Sequence, residues 1–332
     1  MRSFLKVFFA FFGLFLGWII GSHISLFSLH KVEAYNTEIW VANGEANDIL
    51  RFNPDGTSAG SPITGNGMTF PEIFAPIGSQ VWLTNSDNNS LSRFNPDGTS
   101  AGSPLTGNGL NTPQDLAIIG SQVWVTNGME PGTISRFNPD GTSSGASITG
   151  NGLHDPVGIV IVGSQVWIAN ATTNTISRFN PDGTSAGALI TGNGLNAPLS
   201  FALVGSQVWV VNVFGNTISR FNPDGTSAGS PITNNQFKQL EAPLAVGTEV
   251  WVTDCVANKI FFYNFDGTTA GAPLAGNGLN CPVGVRFNVP NPTPTSIPII
   301  IPSTAPSIPI SSAPSQLTCP SGWYYVRHSP SN

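Results

Sequence analysis

Few side chains in this sequence could support acid–base or metal chemistry. Glu72 and Asp115 are carboxylates expected near the start of short strands, and His154 is the single histidine between residues 35 and 289. Carboxylates are typical ligands of Mg²⁺ and Ca²⁺, and a histidine beside a partner and a pocket serves as a general base. We therefore take all three as candidate catalytic residues, with Glu72 and Asp115 as candidate metal ligands. Asp155 follows His154, but adjacency in sequence does not bring two side chains together, and a solvated loop histidine is the alternative.

A larger acidic set falls in the loops between the expected strands, where the only bases are Lys238 and Lys259. Such a surface is electronegative and would favour cationic ligands or a hard metal ion. The alternative is that these acids serve solubility. The nine acidic residues of this expected ligand-binding face are Glu45, Asp48, Glu72, Asp87, Asp115, Glu130, Asp155, Glu241 and Asp254.

The elements that position these residues come from an internal repeat. Tryptophans recur every 42 residues, with one step of 43 caused by an extra residue in the stretch 128–132. An aspartate in an Asn-Pro-Asp-Gly or related turn keeps the same spacing. The six tryptophans are Trp40, Trp82, Trp124, Trp167, Trp209 and Trp251.

Each unit predicts three clear strands and a weaker fourth. Short runs rich in Val, Ile, Trp and Phe are separated by Gly-Ser-Gln, by an Asn-containing loop and by the Pro-Asp-Gly turn. Four strands in about 42 residues are typical of a propeller blade. Gly, Pro and Asn interrupt the chain too often for a helical repeat. We therefore expect an all-β, six-bladed β-propeller over residues 35–289, with the tryptophans packed between blades.

The two ends of the repeat region predict ring closure. The first unit starts at its second strand, and a spare first strand follows the last unit at 282–289. That strand can complete the first blade and remove the open edges of the array. Cys255 and Cys281 fall on the same face of neighbouring blades at this point, so we expect them to form a disulfide; pairing with Cys319 or free thiols are the alternatives.

Residues that repeat in every blade are more often structural than functional. The five arginines at 51, 93, 136, 178 and 220 lie within strands and are expected to stack or to form ion pairs inside a blade. The turn aspartates lack the additional oxygen ligands of a calcium loop. We therefore expect both sets to hold the blades together.

The termini differ from the repeats. Residues 1–34 combine Arg2 and Lys6 with an apolar run at 7–20, which is typical of a signal peptide cleaved after Ala34. An uncleaved signal anchor is the alternative, and it would be the protein's single contact with a membrane. Residues 290–318 form a Pro/Ser-rich linker, and 319–332 form a short tail. We expect a secreted or extracytoplasmic, monomeric protein.

The charge balance excludes nucleic acid as a partner. Residues 35–288 hold 17 acidic and 8 basic residues, a net charge of −9, within a chain whose overall charge is −6. Binding to phosphates needs clustered Lys and Arg. The expected partner is an unidentified protein, peptide or small-molecule ligand.

Two stretches carry a family resemblance. GSQVWVTN (120–127) and TISRFNPDG (133–141) resemble the repeat of virginiamycin B lyase-like (streptogramin lyase-like) proteins, and Pro-Val-Gly-Ile at 156–159 is similar to NHL repeats. The resemblance covers 35–289 and implies a propeller whose top face binds a ligand. Lyases of that group are seven-bladed and open a cyclic depsipeptide with a histidine, a glutamate and Mg²⁺. Gluconolactonase-like hydrolases have six blades and a channel metal held by carboxylates and asparagines.

Three functions follow as hypotheses. The first is an extracytoplasmic binding or interaction module that uses its acidic loop face and has no enzymatic activity. The second is a metal-assisted lyase or lactone hydrolase with carboxylates around the channel and His154 as base; it requires a bound divalent ion, Mg²⁺ or Ca²⁺. The third is a structural surface protein tethered through its proline-rich stalk.

Overall fold

The computed structural model describes residues 38–53 and 55–287, which contain strands and turns but no helix. The predicted signal segment, the linker at 290–318 and the tail at 319–332 lie outside these residues. Within them, no helix is long and apolar enough to cross a membrane.

Six separate antiparallel sheets form the blades of a β-propeller, as predicted. Blades 1, 2, 5 and 6 have four strands. In blades 3 and 4 the fourth strand is reduced to a single bridge, Ile134 with Ile148 and Ile176 with Ile190. Even where it is assigned, the fourth strand is only two residues long, so the weakness expected from the sequence is confirmed.

The strands follow one order in every blade, innermost first. Blade 1 contains β22 (Pro282–Phe287), β1 (Ile39–Asn43), β2 (Asp48–Phe52) and β3 (Ile63–Thr64). Blade 2 contains β4 (Pro71–Ile77), β5 (Gln80–Asn85), β6 (Ser90–Phe94) and β7 (Leu105–Thr106). Blade 3 contains β8 (Pro113–Ile119), β9 (Gln122–Asn127) and β10 (Thr133–Phe137), and blade 4 contains β11 (Pro156–Val162), β12 (Gln165–Asn170) and β13 (Thr175–Phe179). Blade 5 contains β14 (Pro198–Val204), β15 (Gln207–Asn212), β16 (Thr217–Phe221) and β17 (Ile232–Thr233). Blade 6 contains β18 (Leu240–Val246), β19 (Glu249–Asp254), β20 (Lys259–Asn264) and β21 (Leu274–Ala275).

Ring closure occurs through β22, which pairs antiparallel with β1 and so joins the two ends of the repeat region. The neighbouring loops are held by further contacts: the Asn258 side chain accepts a hydrogen bond from the Cys281 amide at 2.7 Å. A disulfide also links Cys255, which follows β19, to Cys281, which precedes β22. The predicted closing strand is confirmed.

The tryptophans pack between blades, where they are at most 2% exposed. Trp40 meets Phe74 of the next blade, and Trp82 and Trp124 meet Phe137 and Phe179 in the same way, with ring centroids 6.0–6.5 Å apart. Edge-on aromatic pairs add to the free energy gained by burying the rings. The repeat thus builds each blade and its interface to the next.

The repeated polar residues are structural, as expected. Asp55 accepts hydrogen bonds from the amide and hydroxyl of Thr57, and the five equivalent turns make the same pair of contacts. Arg51 pairs with Glu38 at 2.6 Å, while Arg93 donates to the Ser103 carbonyl. The arginines therefore hold their own blades together, and Arg220 also donates to the Asp266 carbonyl of the next blade at 3.1 Å.

Candidate functional site

In each blade, one loop leads into the innermost strand and another joins the second strand to the third. These loops lie together on one face of the propeller, which we call the loop face. The Asn47 side chain of blade 1 accepts a hydrogen bond from the amide of Phe70 at the entrance to blade 2, and Asn89 does the same for Thr112. Asn174 and Asn258 make the same contact, so such clamps connect the loops of blades 1, 2, 4 and 6 to the next blade. They place the strand entrances beside the mouth of the central channel.

A β-bulge at each strand entrance turns side chains towards the channel. In blade 2, Pro71 pairs with Asn85 and Phe74 with Leu83, so that Glu72 and Ile73 together oppose the single residue Thr84. The Thr84 hydroxyl fills the gap: it accepts from the Ile73 amide and donates to the Gln114 carbonyl of blade 3. Bulges commonly redirect side chains next to functional sites.

These bulges surround a small cavity at the channel mouth, which we call the channel chamber. It has a volume of about 20 Å³ and is lined by polar residues from four blades, together with Ile73 and three apolar residues from the channel strands. A cavity of this size holds one water-sized group. The polar residues that line the chamber are Glu72, Gln114, Asp115, Ser200 and Glu241.

Glu72 and Glu241 each accept one hydrogen bond from another side chain of the protein. Ser86 donates to Glu72 Oε1 at 2.9 Å, and Gln239 donates to Glu241 Oε1 at 2.7 Å. Burial raises the pKa of Glu72 to about 7, and burial also raises the pKa of Glu241 to about 8. Nearby negative charges raise both pKa values further. Asp87 acts on Glu72, and Glu72 and Asp254 act on Glu241.

Asp115 also lines the chamber but is held by the backbone. It is 2% exposed, and its two oxygens accept hydrogen bonds from the amides of Leu116 at 2.7 Å and of Ile159, in blade 4, at 3.1 Å. The carboxylate therefore ties two blades together.

The residues at the channel mouth do not form a metal centre of the kind that the family resemblance implies. Among the described residues, no group of three or more His, Cys, Asp or Glu side chains is arranged to hold an ion. Both Asp115 oxygens already accept backbone hydrogen bonds. We therefore derive no chemical step through a metal.

A larger cavity opens beside the chamber on the loop face, between the loops of blades 3, 4 and 5. This loop-face groove has a volume of about 720 Å³, within the range of small-molecule sites. Its lining is mostly apolar and includes Met129 and Phe214, whose side chains are 52% and 80% exposed. Glu130 and Asp155 add two carboxylates.

The groove owes its apolar character to one variable position of the repeat. Five residues after each tryptophan, the blades carry an acid in blades 1 and 2 but Met129, Phe214 and Val256 in blades 3, 5 and 6. All three apolar residues are more than half exposed. Blade 4 carries Thr172 there, so this position differs between blades while the surrounding repeat is nearly constant.

His154 contacts Glu130, which lies in another loop. Its Nδ1 lies 2.7 Å from Glu130 Oε1, and both side chains are about half exposed. Glu130 belongs to the stretch 128–132 with the extra residue, which lacks the asparagine that clamps the loops of blades 1, 2, 4 and 6 to the next blade. The His154–Glu130 contact takes over that position. Glu130 lines the groove, whereas His154 is outside the lining.

Asp155 is half-buried in the groove wall, where it accepts a hydrogen bond from the Thr172 hydroxyl at 3.0 Å. Burial, and to a lesser degree the negative charge of Glu130, raises the pKa of Asp155. Asp155 and Glu130 therefore form the polar edge of an otherwise apolar groove.

The other acids of the expected face are dispersed. Glu45 and Asp87 are exposed, and Asp48 is half-buried and accepts from the Asn43 side chain at 2.9 Å. Asp254 is fully buried and accepts from the amides of Lys238, Gln239 and Ala257. Of the nine, Glu72, Asp115 and Glu241 meet at the chamber and Glu130 and Asp155 at the groove.

Four residues that line these cavities were not predicted from the sequence: Gln114, Met129, Ser200 and Phe214. Each stands where the repeat varies, so comparing equivalent positions of the blades would have singled them out. Ser200 is the clearest case, because equivalent residues include Ile73, Asp115 and two glycines. Its hydroxyl is buried and has no hydrogen-bond partner among the described residues.

The fold and its cavities define a six-bladed β-propeller with a groove and a channel chamber on one face. The chain belongs to the virginiamycin B lyase family, whose model matches residues 32–288. No curated protein matches it.

Solved structures support the same fold. A chain of a nidogen/laminin complex is similar with a TM-score of 0.63 and 17% identity, over 76% of this chain and 99% of that one. A catalytically inactive virginiamycin B lyase from Staphylococcus aureus with quinupristin is similar with a TM-score of 0.58 and 18% identity, over 76% of this chain and 88% of that one. A protein of unknown function from Bacteroides caccae has a TM-score of 0.60 and 12% identity, over 75% of this chain and 98% of that one.

Proposed function

We propose that this protein is an extracytoplasmic binding module that holds its ligand on the acidic loop face, in the loop-face groove. The groove itself carries the proposal. It has the volume of a small-molecule site, and it is built from positions at which nearly identical blades differ. Exposed apolar side chains such as Met129 and Phe214 reduce solubility unless a partner covers them. The expected ligand is a small molecule or a peptide with an apolar part.

Two features support an extracytoplasmic location. Residues 1–34 have the basic start and apolar run of an export signal. The Cys255–Cys281 disulfide suits an oxidising compartment.

The binding proposal is tested with a neutral apolar probe, 4-phenylbutan-1-ol, titrated into the protein and followed by NMR. We expect saturable binding that is about tenfold weaker in Phe214→Ser, because a buried aromatic side chain contributes on the order of 1.5–3 kcal/mol. Val256→Ser is the matched control: Val256 occupies the equivalent position in blade 6, is 60% exposed and does not line the groove. Absence of binding, or an equal loss in both variants, would contradict the proposal.

A second candidate is a lyase or lactone hydrolase. The observation that favours it is the contact between His154 and Glu130 at the edge of the groove, since a histidine oriented by a carboxylate is a typical general base. Membership of the virginiamycin B lyase family points the same way. Such an enzyme would open a cyclic ester bound in the groove.

The enzyme hypothesis has two tests. Cyclic ester substrates should be opened by the wild type and not by His154→Gln, while the neutral probe binds both proteins equally. Unfolding is then followed with chelator and after addition of Mg²⁺ or Ca²⁺. An ion present at 100 times its dissociation constant should raise the free energy of unfolding by about 2.7 kcal/mol. No turnover and no stabilisation would leave the binding function alone.

A further inference from the structure

The loop-face groove and the channel chamber adjoin each other. Both are lined by Gln114, Val157 and Leu199, so the apolar groove lies next to the polar chamber. A ligand in the groove could extend one end into the chamber. The chemistry of the chamber decides what that end can be.

The chamber offers acceptors that the protein does not use. The second carboxylate oxygens of Glu72 and Glu241 accept no hydrogen bond from any described residue, and the buried hydroxyl of Ser200 has no partner at all there. Glu241 is only 8% exposed. Of these atoms the Ser200 hydroxyl is the one that is buried, and a ligand group that supplies a donor recovers the free energy lost by leaving it unpaired.

The chamber also lacks a positive charge. The charges that act on Glu72 and Glu241 come from carboxylates: Asp87 on the first, and Glu72 and Asp254 on the second. Asp115 lines the same cavity. Buried carboxylates are normally paired with a cation, so a cationic ligand group would supply what the described residues do not.

We propose that the channel chamber binds the ammonium group of a primary amine whose apolar part lies in the loop-face groove. This inference rests on the proposed binding function. An ammonium group is about the size of the water molecule that a cavity of about 20 Å³ accommodates. It carries three donors, matching Glu72, Glu241 and the Ser200 hydroxyl.

Proton linkage gives the site a characteristic pH dependence. Burial among other carboxylates keeps the pKa of Glu72 at about 7 and that of Glu241 at about 8 in the free protein. An ammonium group favours their ionised forms and lowers both pKa values, so binding releases protons. Affinity for an amine therefore rises between about pH 6 and about pH 8.5, whereas affinity for a neutral probe does not change.

The experiment compares 4-phenylbutylamine with 4-phenylbutan-1-ol, which differ only in the terminal group, by isothermal titration calorimetry with the complete chain. At about pH 8.5 we expect the wild type to prefer the amine by about tenfold or more, because charge-assisted hydrogen bonds contribute about 1.5–3 kcal/mol. The double variant Glu72→Gln/Glu241→Gln should lose this preference and keep its affinity for the alcohol. Glu45→Gln, an exposed acid of the same face outside both cavities, is the matched control.

Each outcome separates the two proposals. If the wild type binds both probes equally, the ammonium site is wrong and the groove remains. If the double variant still prefers the amine, the ammonium group binds elsewhere, and the chamber assignment is wrong. If neither probe binds, the groove function fails, and the ammonium site fails with it. Phe214→Ser should reduce the affinity for both probes by the same factor. This result distinguishes loss of the groove from loss of the chamber.

Discussion

At the scale of single residues, Asp254 stands where the other five blades have an asparagine. Those asparagines accept a backbone N–H through Oδ1 and donate through Nδ2; in blade 4, Asn170 donates to Thr175 and Ser177. In blade 6 the residues equivalent to Thr175 and Ser177 are a lysine and a phenylalanine, so an amide would lack these hydroxyl acceptors. Asp254 instead accepts three backbone N–H groups.

We therefore expect Asp254→Asn to destabilise the protein by about 1–3 kcal/mol, since it removes an acceptor and buries an unpaired amide. Chemical denaturation of the variant and the wild type measures the difference in free energy of unfolding. Asp48→Asn provides the comparison, because Asp48 is only half-buried and should change stability little. Equal stability of Asp254→Asn and the wild type would show that the carboxylate is not required.

The raised pKa values of Glu72 and Glu241 predict how stability depends on pH. Both carboxyls ionise near pH 4.5 when unfolded but at about 7 and about 8 when folded. Between about pH 4.5 and about pH 8 the folded state binds more protons than the unfolded state. The free energy of unfolding therefore falls as pH rises and levels off above about pH 8. A difference of one in pKa corresponds to about 1.4 kcal/mol, so the two carboxyls together account for a loss of at most about 8 kcal/mol.

Denaturant unfolding at a series of pH values between about 5 and 9 checks this dependence, and the double variant Glu72→Gln/Glu241→Gln should show little of it. The pKa values of the turn aspartates are lowered by hydrogen bonds from threonines, so these groups stay ionised throughout this window and do not contribute to the slope. Glu45→Gln should keep the wild-type profile. A flat profile in the wild type would mean that the two carboxyls ionise freely when folded.

At the scale of elements, two glycines let the channel strands approach each other. A Cβ on Gly158 would lie 2.3 Å from the Leu199 carbonyl oxygen of blade 5, and one on Gly284 would lie 2.2 Å from the Glu72 carbonyl oxygen. Neither glycine has a positive φ, so the requirement is for space between backbones. These contacts narrow the channel and help to limit the chamber to the size of one small group.

Gly158→Ala should therefore destabilise the protein by about 2–3 kcal/mol, because two backbones must separate to admit a methyl group. It should also widen the chamber and reduce the preference for the amine probe. Gly271→Ala is the matched control: it has no neighbour within 4 Å of the added Cβ and no positive φ. Thermal unfolding compares the two, and equal stability would show that the strands separate freely.

The repeat made the strands and turns predictable, whereas the bulges were hidden. Alternation of apolar residues identifies β4, but it does not reveal that Glu72 and Ile73 together oppose one residue of β5. The equivalent bulge of β8 directs the Asp115 carboxylate to the Ile159 amide of the next blade. For the same reason, sequence analysis found the acids near the channel but could not separate Glu72 and Glu241 from the structural Asp254.

At the scale of the whole molecule, the ring is closed by one strand, and the ligand cavities depend on that closure. β22 supplies Val283 to the chamber and pairs with β1, and its entrance is attached to blade 6 by the disulfide and by the Asn258 clamp. The order of repeats predicted this closure. The groove was not predictable in this way, because it depends on which loops of three successive blades carry Met129, Phe214 and the extra residue.

The disulfide should stabilise the closed ring mainly by restricting the unfolded chain. It joins residues 26 apart, and a loop of that length corresponds to about 3–4 kcal/mol. We therefore expect the double variant Cys255→Ser/Cys281→Ser to lose stability by that amount in denaturant, with Cys319→Ser as the control. Because the Asn258 clamp and the β1–β22 ladder remain, the folded variant should still bind the neutral probe. Unchanged stability would show that strand pairing alone closes the ring, and loss of probe binding by a folded variant would show that the groove depends on the covalent link.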